Sequence, residues 1–306
     1  MAPRNRTLSL TTEEYAFYQT QLMRLDAPTP IAQMRDRLIH QDLFEVLAFL
    51  PPNSVDLLFL DPPYNLTKNF NGQQFKQQSP ADYCNWLEVC LQGLLPTLKT
   101  TASVYVCADW QTSIAIAPLM GKYFQIRNRI TWERHKGRGS QSNWKNNAED
   151  IWFCTVGARY TFNAQAVKLK RRVLAPYTAN GQPKDWQATP GGNYRLTAAS
   201  NLWTDLTVPF WSMAENTDHP TQKPEKLVAK MILASSNPGD LVLDPFLGSG
   251  TGAVVAKKLG RNYVGIEQDL MYACLAAKRL ARAAADQTIQ GYQDGVFWER
   301  NSRMKD

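Results

Sequence analysis

The chain has 306 residues, 44% hydrophobic and 20% charged, with a net charge of +7, which is ample for a large buried core and excludes global disorder. Its five Cys residues form no CxxC pair, which excludes a disulfide framework and structural zinc, so no metal site is expected. The start MAPRNRTLSLTTEEY has no apolar signal core and no 18-residue apolar run occurs, so a cytoplasmic protein without a membrane span is expected.

Taken in chain order, residues 1–35 are polar, with a helix predicted around 12–25, and read as an N-terminal extension. DRLIHQD (36–42) predicts a short strand. VDLLFLD (55–61) is a continuous apolar run, the pattern of a strand buried on both faces of a parallel sheet. Residues 81–97 predict a helix, 102–109 another buried strand, 112–121 a helix, and 124–133 and 149–156 a pair of strands. Residues 157–218 lose this periodicity and read as a separate small region. The α/β pattern returns with a helix at 224–236, a strand at 240–246, a helix at 251–260, a strand at 263–267 and a helix at 269–284. The expected fold is an α/β doubly wound, mostly parallel sheet. Residues 36–156 and 219–285 form its two halves and 286–306 a C-terminal tail.

Charge is concentrated in residues 134–201, which carry eleven Lys and Arg against three acids, a net +8. The rest of the chain sums to −1. Such a stretch suits a phosphate backbone, with Arg134, Lys136, Arg138, Lys145, Lys168, Lys170, Arg171 and Arg172 as candidate DNA contacts. If 168–172 is extended, Lys168, Lys170 and Arg172 share one face and Arg171 the other. The bland alternative is a solvated basic loop.

Two motifs carry chemistry. DPPYN (61–65) directly follows a buried strand, where open α/β sheets hold their ligands. Its prolines stiffen the backbone, so the Asp61 carboxylate and the Pro62 carbonyl can be aimed as acceptors at one amino group, with Tyr64 as a stacking face. DPFLGSGT (244–251) lies between a strand and a helix. Its glycines permit a tight turn and close approach to a ligand. Glu267, seventeen residues after Gly250, ends the next strand and can accept two ribose hydroxyls. Alone, this half also fits the loose dinucleotide pattern of an NAD-dependent oxidoreductase.

In this order, with a basic insertion between them, the motifs resemble the β class of DNA amino-methyltransferases over roughly residues 36–285. The resemblance implies a Rossmann-like methyltransferase fold with an inserted target-recognition region at 157–218, to which 134–148 contributes. It implies S-adenosylmethionine as cofactor and double-stranded DNA as partner, in a cytoplasmic, nucleoid-associated setting. Asp61, Pro62, Pro63 and Tyr64 match the catalytic motif. Asp244, Phe246, Gly248, Ser249, Gly250 and Thr251 match the cofactor loop, Glu267 the ribose acid and Asp42 the acid that meets adenine. Asp61 faces the cofactor as well. Thr221 and Lys223 lie in HPTQKP (219–224), matching the methionine pocket, and His219 there reads as a loop histidine.

The implied reaction is methyl transfer to the exocyclic amino group of a flipped base. Adenine N6 is preferred because Asp at the first catalytic position is commoner among adenine enzymes, and cytosine N4 stays open. Cytosine C5 chemistry is not expected, since none of the residues before the cysteines (Tyr83, Val89, Val106, Phe153, Ala273) is proline. A nonenzymatic DNA-binding module would have no need of both motifs. Residues 66–79 read either as a loop closing over the base or as a connector. Monomer or homodimer, and partnership with a restriction endonuclease, stay open.

Overall fold

A computed structural model describes residues 5–134, 141–173, 177–189 and 192–300. Lys136 and Arg138, both expected at DNA, lie outside the described residues.

The main sheet has eight strands: β1 (Arg37–His40), β2 (Val55–Leu60), β3 (Leu98–Ala108), β4 (Gln125–Glu133), β5 (Ala148–Thr155), β6 (Leu202–Trp203), β7 (Leu241–Asp244) and β8 (Asn262–Glu267). Their spatial order is β1-β8-β7-β2-β3-β5-β4-β6. Only β5 runs against its neighbours in this sheet. The sheet is therefore mixed and mostly parallel, as the strand–helix alternation predicts.

Among the described residues, six helices longer than one turn accompany it: α1 (Thr12–Gln19), α2 (Pro80–Leu94), α3 (Trp110–Tyr123), α4 (Glu225–Ser235), α5 (Thr251–Lys258) and α6 (Leu270–Ala285). The pleat sorts β2 between two cores. Leu58 and Leu60 pack with Leu87 and Leu91 of α2 and Ile116 of α3. Leu57 and Phe59 pack with Val228 and Ile232 of α4, Val254 of α5 and Leu280 of α6. A strand covered on both faces has no polar side to present, which is why it reads as an unbroken apolar run. Starts are set by caps: Ser79 accepts from the Asp82 amide at 3.1 Å before α2, and Asp269 from the Tyr272 amide at 2.9 Å before α6.

The connection from β2 through α2 leads toward β3, and that from β7 through α5 leads toward β8 on the other side. The order of connection thus reverses between the parallel strands β2 and β7, leaving a crevice at their C-terminal ends.

A second sheet of five strands combines Gln187–Thr189, Gly192–Thr197 and Leu169–Arg172 with Val296–Trp298 and Tyr292–Gln293. Residues expected as a tail thus join the small sheet of the 157–218 region. Phe297 and Trp298 are buried there, and Asp294–Gly295, with φ of 52° and 75°, makes the hairpin turn that returns the chain. The N-terminal segment is likewise docked. Leu8 bridges Thr217, Met23 bridges Ile39, and Lys278 of α6 reaches the Ser9 carbonyl at 2.8 Å and Glu14 at 2.6 Å. Its helix is shorter than expected, ending at Gln19.

Among the described residues no helix is long and apolar enough to cross a membrane.

Candidate active site

A cavity of about 420 Å³ opens at the crevice. Parallel strands deliver their C-terminal residues to one edge: Asp42 just after β1, Asp61 after β2, Asp244 at the end of β7 and Glu267 at the end of β8. Antiparallel β5 delivers its first turn of chain to the same edge and adds Glu149.

Asp61, Pro62, Pro63 and Tyr64 all line the wall, as the motif predicts. The Lys223 ammonium donates to both Asp61 oxygens, at 2.7 and 2.8 Å, and lies 5.0 Å from the Tyr64 ring centre. The Tyr64 hydroxyl donates to Glu149 at 2.9 Å, and the other Glu149 oxygen accepts from Arg134. Tyr83 of α2 donates to the Pro63 carbonyl at 3.0 Å, which pins the two-proline turn. Burial raises the Asp61 pKa while the Lys223 charge opposes that rise. Burial would lower the Lys223 pKa, but Asp61 and Glu149 beside it hold it above the ordinary lysine value, so it stays a cation. Burial and Glu149 raise the Tyr64 pKa well above normal, so its hydroxyl keeps its proton and donates.

The loop 244–251 forms the opposite wall. Asp244 is 2% exposed, and its Oδ1 has no hydrogen-bond partner among the described residues. Burial, with Asp61 and Glu267 nearby, raises its pKa well above normal. Glu267 accepts from the Gly248 amide at 2.7 Å and the Asp269 amide at 2.8 Å, and burial pushes its pKa up to about 7. The Phe246 and Trp86 rings lie 5.8 Å apart at a tilt of 46°, and Phe75 meets Trp86 edge-on in the same aromatic wall. Asp42 lines the cavity while one of its oxygens caps the short helix after it, accepting from the Phe44 amide at 2.8 Å. Thr221 lines the cavity too, its amide on the His219 ring at 3.4 Å. Burial and the nearby Lys223, Lys68 and Arg279 push the His219 pKa down to about 3, so the ring is neutral.

Gly248 lines the cavity, and both glycines take the positive φ of the expected tight turn. Gly250 does not line the cavity. Its φ is 90°, and a Cβ there would lie 2.6 Å from the Ala276 side chain of α6. A Cβ on Gly248 would lie 2.9 Å from the His219 ring. The glycines let the loop sit against α6 and the 219–224 turn. Ser249 and Thr251 are held from below: Arg279 of α6 donates to the Ser249 carbonyl at 2.9 Å, to the Thr251 hydroxyl at 3.0 Å and to Glu225 at 2.9 Å. The Thr251 hydroxyl donates to the Lys223 carbonyl at 3.1 Å, tying the two walls together.

Residues 66–79 hold a β-hairpin, Lys68–Phe70 with Gln73–Phe75, turning at Asn71–Gly72 with φ of 49° and 90°. Leu66, Lys68 and Phe70 line the cavity, and the Asn71 amide donates to Asp269 at 2.9 Å, so the hairpin fastens across the mouth.

The basic candidates fall in different settings. Arg134 is at the cavity and Lys145 is exposed. Lys168 is half-buried, just before the strand Leu169–Arg172. The Lys170 ammonium lies 4.3 Å from the Trp298 ring, Arg171 pairs with Glu299 at 3.6 Å, and Arg172 is exposed. Part of the charge cluster therefore packs the second sheet.

Sequence reasoning missed Glu149, Trp86 and Arg279. An acid at the start of the apolar run EDIWFCTV was a readable signal for Glu149, since acids are rarely buried without partners. Trp86 and Arg279 carry no local signal.

The loop geometry is testable through stability. Gly239 shares a left-handed φ of 85° but has open space where a Cβ would go. Gly239→Ala should cost about 1–2 kcal/mol from the backbone alone. Gly250→Ala should cost about 1–3 kcal/mol more, from overlap with Ala276. Equal losses in urea unfolding would refute the packing role.

The family model for DNA methylases of the N6/N4 type matches residues 55–278. The chain is 35% identical over 263 residues to the DNA adenine methyltransferase YhdJ of Escherichia coli K12, covering 83% of this chain and 85% of that one. It is 32% identical over 256 residues to the type II methyltransferase M.HpaI of Haemophilus parainfluenzae, covering 81% and 74%. Among solved structures it is similar in fold to the M1.HpyAVI–SAM complex, with a TM-score of 0.55 and 24% identity over 79% of this chain and 98% of that one. With DPPYN on one wall of the cavity and the glycine loop on the other, the chain belongs to the DNA methylase family of N6- and N4-methyltransferases.

Proposed function

We propose that the chain methylates adenine N6 in double-stranded DNA, using S-adenosylmethionine. The 35% identity to a DNA adenine methyltransferase supports adenine over cytosine. The observation that carries the reading is one cavity in which Asp61 and Tyr64 face the Glu267 loop.

The cavity suits the cofactor. Its volume lies in the range of small-molecule sites. Glu267 offers a carboxylate for the ribose hydroxyls, Trp86 and Phe246 flank a flat ring, and Asp42 has a second carboxylate oxygen for the adenine amino group. The acids Asp61 and Asp244 suit a ligand bearing an ammonium and a sulfonium. When bound, the cofactor supplies an electrophilic methyl group.

The chain's residues must make a poor nucleophile attack. The lone pair of an aromatic amino group is delocalised into its ring. Acceptance of its two N–H bonds by the Asp61 carboxylate and the Pro62 carbonyl draws the nitrogen toward tetrahedral geometry and aims the lone pair across the cavity. The Tyr64 ring, fixed by its bond to Glu149, is the surface on which a flipped base stacks. Water is limited by the 68–75 hairpin across the mouth.

Three outcomes test this reading. Asp61→Asn keeps the shape but loses the anionic acceptor; at saturating cofactor, methyl transfer should fall about 10²–10³-fold. Undiminished transfer by the folded variant would reject the role of Asp61.

Glu267 sets a pH dependence. Its carboxylate accepts hydroxyl hydrogens best when ionised, and its pKa is raised to about 7. Cofactor affinity should therefore rise from pH 6 to about 8 and then level off. Calorimetry on Glu267→Gln should give a flatter profile, and a flat parental profile would remove Glu267 from the ribose site.

For DNA, the exposed Lys145 and Arg172 are the candidates least occupied by packing. Replacing both with Gln should reduce the slope of log K against log salt by about one to two units. Superimposable salt titrations would leave this segment without a phosphate role.

A further inference from the structure

The Asp61–Lys223 pair is more enclosed than an ordinary ion pair. The two side chains are 16% and 5% exposed. Acids face it from several elements: Glu149 on β5 lies 3.7 Å from the Lys223 ammonium, and Asp244 on β7 and Glu267 on β8 share the cavity. The other cations nearby are engaged or farther out. Arg134, after β4, is spent on Glu149, and Lys68 is on the covering hairpin. Among the described residues, Lys223 thus supplies the one ammonium bonded to Asp61.

The position of that ammonium is set by the cofactor loop. The Lys223 carbonyl accepts from Thr251, whose hydroxyl accepts in turn from Arg279. Two N–H groups of Lys223 reach one oxygen of Asp61 each, so neither carboxylate oxygen can rotate away. Each oxygen keeps a second lone pair for another donor. The same ammonium lies 5.0 Å from the Tyr64 ring centre, so Asp61 and Tyr64 are held side by side at the cavity wall.

We propose that Lys223 is a positioning residue for methyl transfer: its ammonium keeps Asp61 ionised and fixes its carboxylate at the cavity wall beside Tyr64. This rests on the reading of Asp61 as acceptor for the target amino group. Without Lys223, Asp61 would be a buried carboxyl among Glu149, Asp244 and Glu267, and burial already raises its pKa against the pull of Lys223. A protonated carboxyl presents an O–H to the incoming amino group at one oxygen and loses the acceptor there. Lys223 is not a general base, because its neighbours hold it protonated.

The test uses single-turnover methylation of duplex DNA at saturating S-adenosylmethionine between pH 6 and 9. The variants are Lys223→Met, Lys223→Arg, Asp61→Asn and the double variant Asp61→Asn/Lys223→Met. The parent should be nearly flat with pH. Lys223→Met should be about 100-fold slower at pH 7. Its rate should climb about tenfold per pH unit as Asp61 regains its charge. Lys223→Arg should keep the flat profile, and calorimetry should show cofactor affinity within about threefold of the parent for both. In the Asp61→Asn background, Lys223→Met should cause no further loss in rate. The double variant buries neither unpaired charge, so this comparison stands even where Lys223→Met alone does not fold.

A pH-independent loss in Lys223→Met would overturn the proposal, as would a further loss in the double variant or a defect confined to cofactor affinity. Parental rates for Asp61→Asn would instead reject the reading of Asp61 itself.

Discussion

Where the connections of a parallel sheet reverse, the ends of several strands face one crevice, and here those ends are acidic. Asp61 follows β2, Asp244 closes β7, Glu267 closes β8 and Glu149 enters from β5. Carboxylates in so small a volume raise one another's pKa and compete for protons. The buried ammonium of Lys223, bonded to both oxygens of Asp61, separates that acid from the others. Glu149 is held by the Tyr64 hydroxyl and by Arg134, and the acids of the other wall by backbone donors. Glu267 takes two amide N–H groups, and Asp244 has the amides of Phe246 and Gly252. One wall thus carries a paired anion, and the other carries acids held by the loop that the glycines and Arg279 keep in place.

The parts visible in the sequence were those written in a local code. β2, β3 and β8 are covered on both faces and show as apolar runs, and each motif sits at a strand end. Other local signals were present but unread. Asn71–Gly72, Asn180–Gly181 and Asp294–Gly295 each have both residues at positive φ, and each turns a hairpin. The first changes a presumed loop into a cover for the cavity. The last brings a presumed tail into the second sheet. Beyond local reach were contacts between distant elements: Arg279 under the loop, Trp86 against Phe246, and the Ala276 methyl that requires Gly250. Their partners are set by how α2 and α6 pack, which no short window of sequence states.

The basic segment shows why a count of charge is weaker evidence than its placement. Residues 134–201 carry a net +8. Yet Lys170 covers Trp298, Arg171 pairs with Glu299, Arg195 pairs with Asp185 and Arg134 pairs with Glu149. A lysine stem over an indole gains from dispersion and cation–π attraction whether or not DNA is present. The alternation argument placed Lys170 and Arg171 on opposite faces, and their different partners agree with that. What alternation could not say is that the C-terminal hairpin pairs along this strand and supplies the partners of both residues.

The antiparallel strand links these themes. β4 runs parallel to β2, so it ends at the catalytic edge, and β5 must begin there to run back beside it. The described ends of the connection between them lie at the cavity, which Arg134, Asn146 and Ala148 line. That connection holds Arg134 at one end and Glu149 just beyond the other, joined by a hydrogen bond, and between them Lys145 and a Trp144 that is 94% exposed. Had β5 been parallel, a crossover would have carried the connection to the opposite edge, far from Asp61. The one reversed strand therefore brings Glu149 onto Tyr64 and Arg134 onto Glu149, so the Tyr64 ring is held at the cavity wall by the first residues of a strand that a parallel arrangement would have started at the opposite edge.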